Sequence, residues 1–263
     1  MVLLRRPPGP RLMGATDFVS NNFKSSAVGS RSKLNPADAA RFDGSTLFGS
    51  LAGAVCEAGV LPRKELFECW EVASALHESF PNTQRVADLA AGHGLLAWVL
   101  ALLASSEGGG GGVARTAVCV DVAKPKSAEA LGAAITASFP WLDGAVEYVE
   151  GSIDSVEDSS GETLIVGVHA CGILSDRVMD VAMRGANPSP IALLPCCHSL
   201  RTHTRLLEDN TVEGGSQIAA ELRDAARTLG DSAAIDAFRL ERLRRRGYTV
   251  EERFIPREIT PCA

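Results

Sequence analysis

From about residue 84 onward the chain alternates short apolar runs with stretches of helical period, and that rhythm admits few folds. Such strands are buried on both faces, so helices must cover both sides of a parallel sheet. Strands are expected over residues 85–89, 114–120, 145–149, 164–169 and 191–194, with a late one over 248–255. Helices are expected between them over 94–105, 127–138 and 175–184, and afterwards over 218–229 and 232–246. The fold class is therefore α/β: a Rossmann-like, doubly wound, mostly parallel sheet in the order 3-2-1-4-5 plus the late strand.

A helical appendage precedes the sheet. Leu47, Leu51 and Val55 recur at helical spacing. Leu66, Trp70, Ala73 and Phe80 do the same after Pro62, and Pro81-Asn82 breaks the run. The helix over 94–105 is apolar around its whole circumference, so its outer side needs a cover, which the N-terminal helices can supply. The expected organisation is a mobile basic tail over 1–40, helices packing on the core over 41–82, and the α/β domain over 83–263. Five consecutive glycines, 108–112, read as a loop between the first helix and second strand of that domain.

Composition narrows the function classes. Hydrophobic residues make up 46% and charged residues 22%, the balance of an ordinary globular protein. The longest apolar run, 95–104, falls well short of the roughly 20 residues a membrane-spanning helix needs, so no membrane role is expected. A net charge of −6 excludes a globally basic nucleic-acid binder but not a local basic patch. Charge is unevenly spread: residues 1–33 hold six bases against one acid, and the remainder 20 bases against 31 acids. Seven cysteines, an odd number, read as reduced thiols of an intracellular protein. A cytoplasmic location is expected, with an organelle transit peptide in the acid-poor, Arg- and Ser-containing start as the alternative.

The motif Val86-Ala87-Asp88-Leu89-Ala90-Ala91-Gly92-His93-Gly94 joins a strand, an acid at its end, a small-residue loop and a helix. Small residues let backbone approach a ligand, and the helix N-terminus offers free N–H groups. Asp121 ends the next strand, where an acid can accept both hydroxyls of a ribose. Two cofactors fit. Gly92-His93-Gly94-Leu95-Leu96-Ala97 matches the dinucleotide pattern G-x-G-x-x-A. S-adenosylmethionine, with a cation and an amino group, favours an acid where Asp88 stands. Because that acid would sit awkwardly beside a pyrophosphate, S-adenosylmethionine is the expected cofactor.

At these residues the sequence resembles the class I S-adenosylmethionine-dependent methyltransferases, with Ala90 in place of the first loop glycine. The resemblance implies that Asp88 orders the methionine end and Asp121 the ribose, with Ala90, Ala91, Gly92 and Gly94 forming the loop. It implies adenine contacts at Ser152 and Ile153. Further on, His169-Ala170-Cys171-Gly172-Ile173-Leu174-Ser175-Asp176 and Cys196-Cys197-His198 are similar to segments of a methyltransferase subgroup. That subgroup includes the methyltransferase domain attached to a glutathione-transferase-like C-terminal domain and the tRNA 2′-O-methyltransferases of the acceptor stem. The resemblance covers roughly residues 83–261. In the subgroup an Asn and a final apolar strand usually follow Ile259-Thr260-Pro261; here Cys262-Ala263 follow, so either that strand is lost or the chain is a fragment, and its absence would leave a sheet edge uncovered.

Strands four and five of such a sheet are neighbours, so His169, Cys171, Cys196, Cys197 and His198 are expected together beside the cofactor as the candidate catalytic set. Three roles compete. A histidine can position or deprotonate the acceptor. A thiolate can add to a pyrimidine ring, although the Asp that precedes the first such cysteine in cytosine-C5 RNA methyltransferases is missing. A metal site comes last, because the C-C-H spacing is poor for a chelating loop, and no metal is expected. Cys56, Cys69 and Cys119 read as small buried hydrophobes, and His77 and His93 as surface or packing residues. Arg201, Arg205 and the cluster Arg242, Arg244, Arg245 and Arg246 could meet phosphates, although a basic helix end also complements the helix dipole. RNA, and tRNA first by resemblance, is the expected acceptor, with a protein or small molecule as the alternative. A non-catalytic binding module of the same fold and a nicotinamide-dependent oxidoreductase remain the competing classes. A protein partner cannot be read from the sequence.

Overall fold

A computed structural model describes residues 2–4, 31–107, 115–156, 161–184, 186–209, 215–256 and 259. The glycine run 108–112 and residues 5–30 of the expected tail lie outside the described residues. In chain order the elements are β1 (Val2–Leu4), a 3-10 turn (Pro36–Arg41), α1 (Leu47–Ala58), α2 (Arg63–Ser79), β2 (Arg85–Leu89), α3 (Leu95–Glu107), β3 (Thr116–Asp121) and α4 (Lys126–Ser138). They continue with β4 (Val146–Glu150), β5 (Leu164–Val168), α5 (Leu174–Ala182), β6 (Ile191–Leu194), α6 (Leu200–Asp209), α7 (Gly215–Leu229), α8 (Asp231–Arg245) and β7 (Glu251–Arg253).

Five parallel strands form the sheet in the order β4-β3-β2-β5-β6, the expected 3-2-1-4-5. Asp88 on the central strand stands level with Cys119 of β3 and Val166 of β5. The strand order reverses between β2 and β5, and at such a reversal the flanking loops part and leave a crevice at the carboxyl ends.

The helices sort by what they cover. α2 packs along α3 and α1 along α4, which gives the all-apolar α3 its cover. Phe48, Phe67 and Trp70 of α1 and α2 share one core with Leu96, Val99 and Leu100 of α3. On the other face Val178 and Met179 of α5 pack with Ile165, Leu193 and Leu240. Local signals set the boundaries. Thr46 caps α1 by accepting from the Gly49 N–H at 3.0 Å, and Gly59 ends it in a left-handed conformation. Arg115, almost fully buried, donates to the carbonyls of Phe80 and Thr83 at 2.8 Å each and so ties the end of α2 to the start of β3.

Three features depart from the sequence reading. Helix α6 was not expected. It carries the apolar face of an amphipathic helix, but only ten residues separate its ends, too few for a clear periodicity. The late strand is shorter than expected and pairs antiparallel with β1, which itself lies beside β6. The edge expected to be bare therefore has β1 next to it. Parts of the expected tail also carry structure. Leu34 is fully buried, its N–H donates to the Leu61 carbonyl at 2.9 Å, and Asn35 caps the 3-10 turn. Among the described residues no helix is long and apolar enough to cross a membrane.

Candidate active site

The crevice at the β2/β5 reversal is a cavity of about 630 Å³, within the range of about 300–1,000 Å³ typical of ligand sites. One wall is Asp88 and the loop Ala90–Ala91–Gly92–His93; the opposite wall is His169, Cys171, Cys196 and Cys197; α2 closes the side with Lys64, Glu65, Glu68 and Cys69.

The first wall is shaped by backbone. Ala90 adopts φ 59°, an uncommon conformation for a residue with a Cβ, and Ala is the smallest residue that has one. Its N–H donates to the Val120 carbonyl at 2.8 Å, which ties the loop to β3. Gly92, at φ 53°, donates its N–H to Oδ2 of Asp121 at 2.9 Å, and Oδ1 of Asp121 accepts from the Val122 N–H at 2.7 Å. Gly94 also has positive φ, and a Cβ there would stand 2.9 Å from Sγ of Cys119, so this position requires glycine twice over. Tyr148 donates its hydroxyl to the Gly92 carbonyl at 2.9 Å, and His93 Nδ1 lies 2.6 Å from the Ser127 hydroxyl.

Asp88 is 2% exposed, and no salt bridge among the described residues involves it. Burial and the nearby Asp121 push its pKa up to about 7, against a backbone interaction with Ala97 that lowers it. A buried carboxylate in the wall of an open cavity, in no salt bridge among the described residues, suits a positively charged ligand.

Of the residues expected to hold the cofactor, Asp88, Ala90, Ala91 and Gly92 line this cavity. Gly94 lies against Cys119, and Asp121 stands at the rim, outside the lining residues, holding the loop through the Gly92 N–H. Ser152 caps a 3-10 turn (Ile153–Ser155) just past β4, and the Ile153 side chain is buried in the core.

The second wall is built from side chains. His169 takes φ 60°, and its Nε2 stands 3.2 Å from Oε2 of Glu68, a charge contact outside hydrogen-bond angles. Burial would raise the Glu68 carboxyl, but His169 and Lys64, 2.9 Å away, outweigh it and hold its pKa below the ordinary value. Cys171, Cys196 and Cys197 are free and exposed, and burial raises the thiols of Cys171 and Cys196.

His198 does not join this wall, contrary to the expectation for the catalytic set. Its Nε2 turns away to Oδ1 of Asp236 on α8, at 2.9 Å. Asp236 in turn accepts from Arg239, which is fully buried and also bound to Asp176. A buried guanidinium surrounded by carboxylates draws in a further donor, and that network claims the imidazole. His203 of α6 completes it at 2.8 Å from Asp176. Burial would raise the Asp176 carboxyl; His203 and Arg239 more than reverse this and lower it.

Glu68 and Arg239 were not found from the sequence. Each lies far along the chain from the residue it serves, and neither belongs to a local motif. Cys56, Cys69 and Cys119 are buried as expected. Of the six arginines, three are paired: Arg242 with Asp180, Arg245 with Glu241 and Arg205 with Asp209.

Over residues 64–203 the chain matches a family described as a methyltransferase domain. Among solved structures it is similar to the crystal structure of the 23S rRNA methyltransferase ErmE, at 19% identity and a TM-score of 0.29. That match covers 48% of this chain and 43% of the other, less than half its length. No curated protein sequence matches the chain.

Proposed function

The chain belongs to the methyltransferase domain family, and from that premise we propose that it binds S-adenosylmethionine and transfers its methyl group to RNA, with tRNA first among the acceptors. The observation that carries the cofactor reading is Asp88, a buried carboxylate without a cation partner among the described residues, in the wall of a ligand-sized cavity. The residues fit the group. Asp88 would balance its positive charge, and the backbone of Ala90, Ala91 and Gly92 would lie against it. Asp121 has spent one lone pair of each oxygen on backbone N–H groups, which leaves two for the ribose hydroxyls. Ser152 and Ile153 would border the adenine. The loop fits a dinucleotide less well, because the Gly92 and Gly94 N–H groups, which a pyrophosphate would need, are turned onto Asp121 and the Ala91 carbonyl.

S-adenosylmethionine supplies a methyl group on a sulfonium that is already a reactive donor. The protein's part is then alignment of the acceptor and removal of its proton. The acceptor would enter over His169, Cys171 and Pro195. With Nε2 of His169 3.2 Å from Glu68, Nδ1 is the nitrogen left to accept a proton. The RNA reading is supported by the likeness of the His169–Asp176 and Cys196–His198 segments to enzymes that methylate tRNA. The same reading places the protein in the reducing cytoplasm, where exposed thiols stay reduced.

Calorimetric titration with S-adenosylhomocysteine, with NAD as control, tests the cofactor. Saturable binding of the first alone is expected; preference for NAD overturns the reading. Labelled-methyl transfer to fractionated RNA and protein pools then tests the acceptor. Label appearing only in protein would refute RNA.

A further inference from the structure

Cys171 follows β5, Cys196 and Cys197 follow β6, and the parallel pairing of those strands brings three thiols to one place. Sγ of Cys171 lies 2.8 Å from Sγ of Cys196, which lies 3.6 Å from Sγ of Cys197, and all three sulfurs are within 4.8 Å of one another. All three are exposed on the cavity wall, unlike Cys56, Cys69 and Cys119. We propose that Cys171, Cys196 and Cys197 bind a thiophilic divalent cation of the zinc type, with a fourth coordination position open to the cavity.

Tetrahedral zinc holds each thiolate at about 2.3 Å, which sets the sulfurs about 3.8 Å apart. Cys196 and Cys197 are already near that spacing. Cys171 and Cys196 are closer than zinc ligation requires but farther apart than the roughly 2.05 Å of a disulfide. Ligation replaces their thiol–thiol contact, and a separation of about 1 Å completes the set. Three thiols release three protons to solvent as one cation enters.

The surroundings are built to hold these loops. Beyond the strand ends, the His169 N–H donates to the Leu194 carbonyl at 3.2 Å and the Gly172 N–H to the Cys197 carbonyl at 3.1 Å. Arg239 then braces one loop directly and the other through Asp236. Its Nη2 donates to the Gly172 carbonyl at 2.7 Å, next to Cys171. Its Nη1 donates at 3.3 Å to Asp236, the carboxylate that holds His198 next to Cys197. Asp176 and His203 fix the guanidinium in turn. Outer partners of this kind orient metal ligands in proteins. The poor spacing of Cys196-Cys197-His198 for a chelating loop ceases to matter, because the third ligand comes from the neighbouring strand and the histidine serves as a brace.

The test uses the full chain, purified under reductant and loaded with Zn²⁺, then with Co²⁺ as a spectroscopic probe. One equivalent of zinc per chain and a thiolate-to-cobalt charge-transfer band are expected. Cys171→Ser and Cys196→Ser should each lower zinc affinity at least about tenfold, by loss of a ligand. Asp236→Asn, which touches no sulfur and braces the loop only through His198 and Arg239, should lower it by less than about tenfold. Circular dichroism melts establish that each variant is folded. The proposal is overturned if the wild type takes up no more zinc than the variant with all three thiols changed to serine. Metal content is read without cofactor or acceptor, so this outcome is independent of the methyl-transfer reading.

Discussion

The two walls of the crevice are made in different ways. The wall after β2 and β3 is a backbone structure: Ala90, Gly92 and Gly94 bend the chain, and Asp121 holds the bend through the Gly92 N–H. The wall after β5 and β6 is a side-chain structure, with His169 held by Glu68 of α2 and the thiol loops held by Arg239 of α8. A backbone wall depends on a few adjacent residues. A side-chain wall depends on partners brought in from distant elements. The first should tolerate change in the surrounding helices better than the second.

The sharpest test of that difference is Arg239→Ala. It strips the buried Asp176 of its cation partner, and breaking such a pair costs about 3–5 kcal/mol, read from urea unfolding. If the walls are independent, S-adenosylhomocysteine affinity in the folded variant stays within about twofold of wild type, a shift of only a few tenths of a kcal/mol. A large loss would show that both walls share one support.

Asp121→Ala attacks the other wall. Losing charge-assisted hydrogen bonds to a ribose should weaken S-adenosylhomocysteine about 100-fold, or roughly 3 kcal/mol. Thiol reactivity toward a maleimide should not change. Unaltered ligand binding would remove Asp121 from the site.

Asp88 should leave a trace in stability against pH. Its folded pKa of about 7 lies above the ordinary 3.8, so the free protein binds more protons at Asp88 than the unfolded chain does between those values. The contribution of Asp88 to stability is therefore full below about 3.8 and is lost as pH rises through about 7. Asp88→Asn should melt about 2–4 °C higher than wild type at pH 8 and show no gain at pH 4. A constant difference across that range would mean that the carboxylate is not the titrating group.

The smallest effect concerns Gly94. Gly94→Ala should cost about 1–2 kcal/mol from its positive φ, plus a steric part against Cys119. Cys119→Ala should relieve only the steric part, so the double mutant should show a coupling of about 0.5 kcal/mol or more in urea unfolding. Strict additivity would show that the sulfur yields freely.

The same contrast explains what could be read from the sequence. The sheet was legible because β3, β5 and β6 are apolar runs and helical periods separate most of the strands. The loop was legible because Asp88, Gly92 and Gly94 lie within seven residues of one another. His169 and the three cysteines could be placed from strand order alone. Glu68 could not, since nothing in α2 distinguishes it from Glu65 or Glu71. His198 was misplaced because adjacency to Cys197 says nothing about which side of the chain an imidazole leaves from, and Asp236 and Arg239 decide that from about 40 residues downstream. β1 was hidden because three residues cannot display a period.

The packing of α2 along α3 has a consequence for synthesis. Translation delivers α1 and α2 before α3 leaves the ribosome, so the apolar helix emerges when its cover already exists. A chain in the opposite order would present thirteen unshielded helical residues to the cell for as long as the remainder took to arrive. Moving the first two helices behind the sheet by circular permutation would keep every native contact and lose that protection.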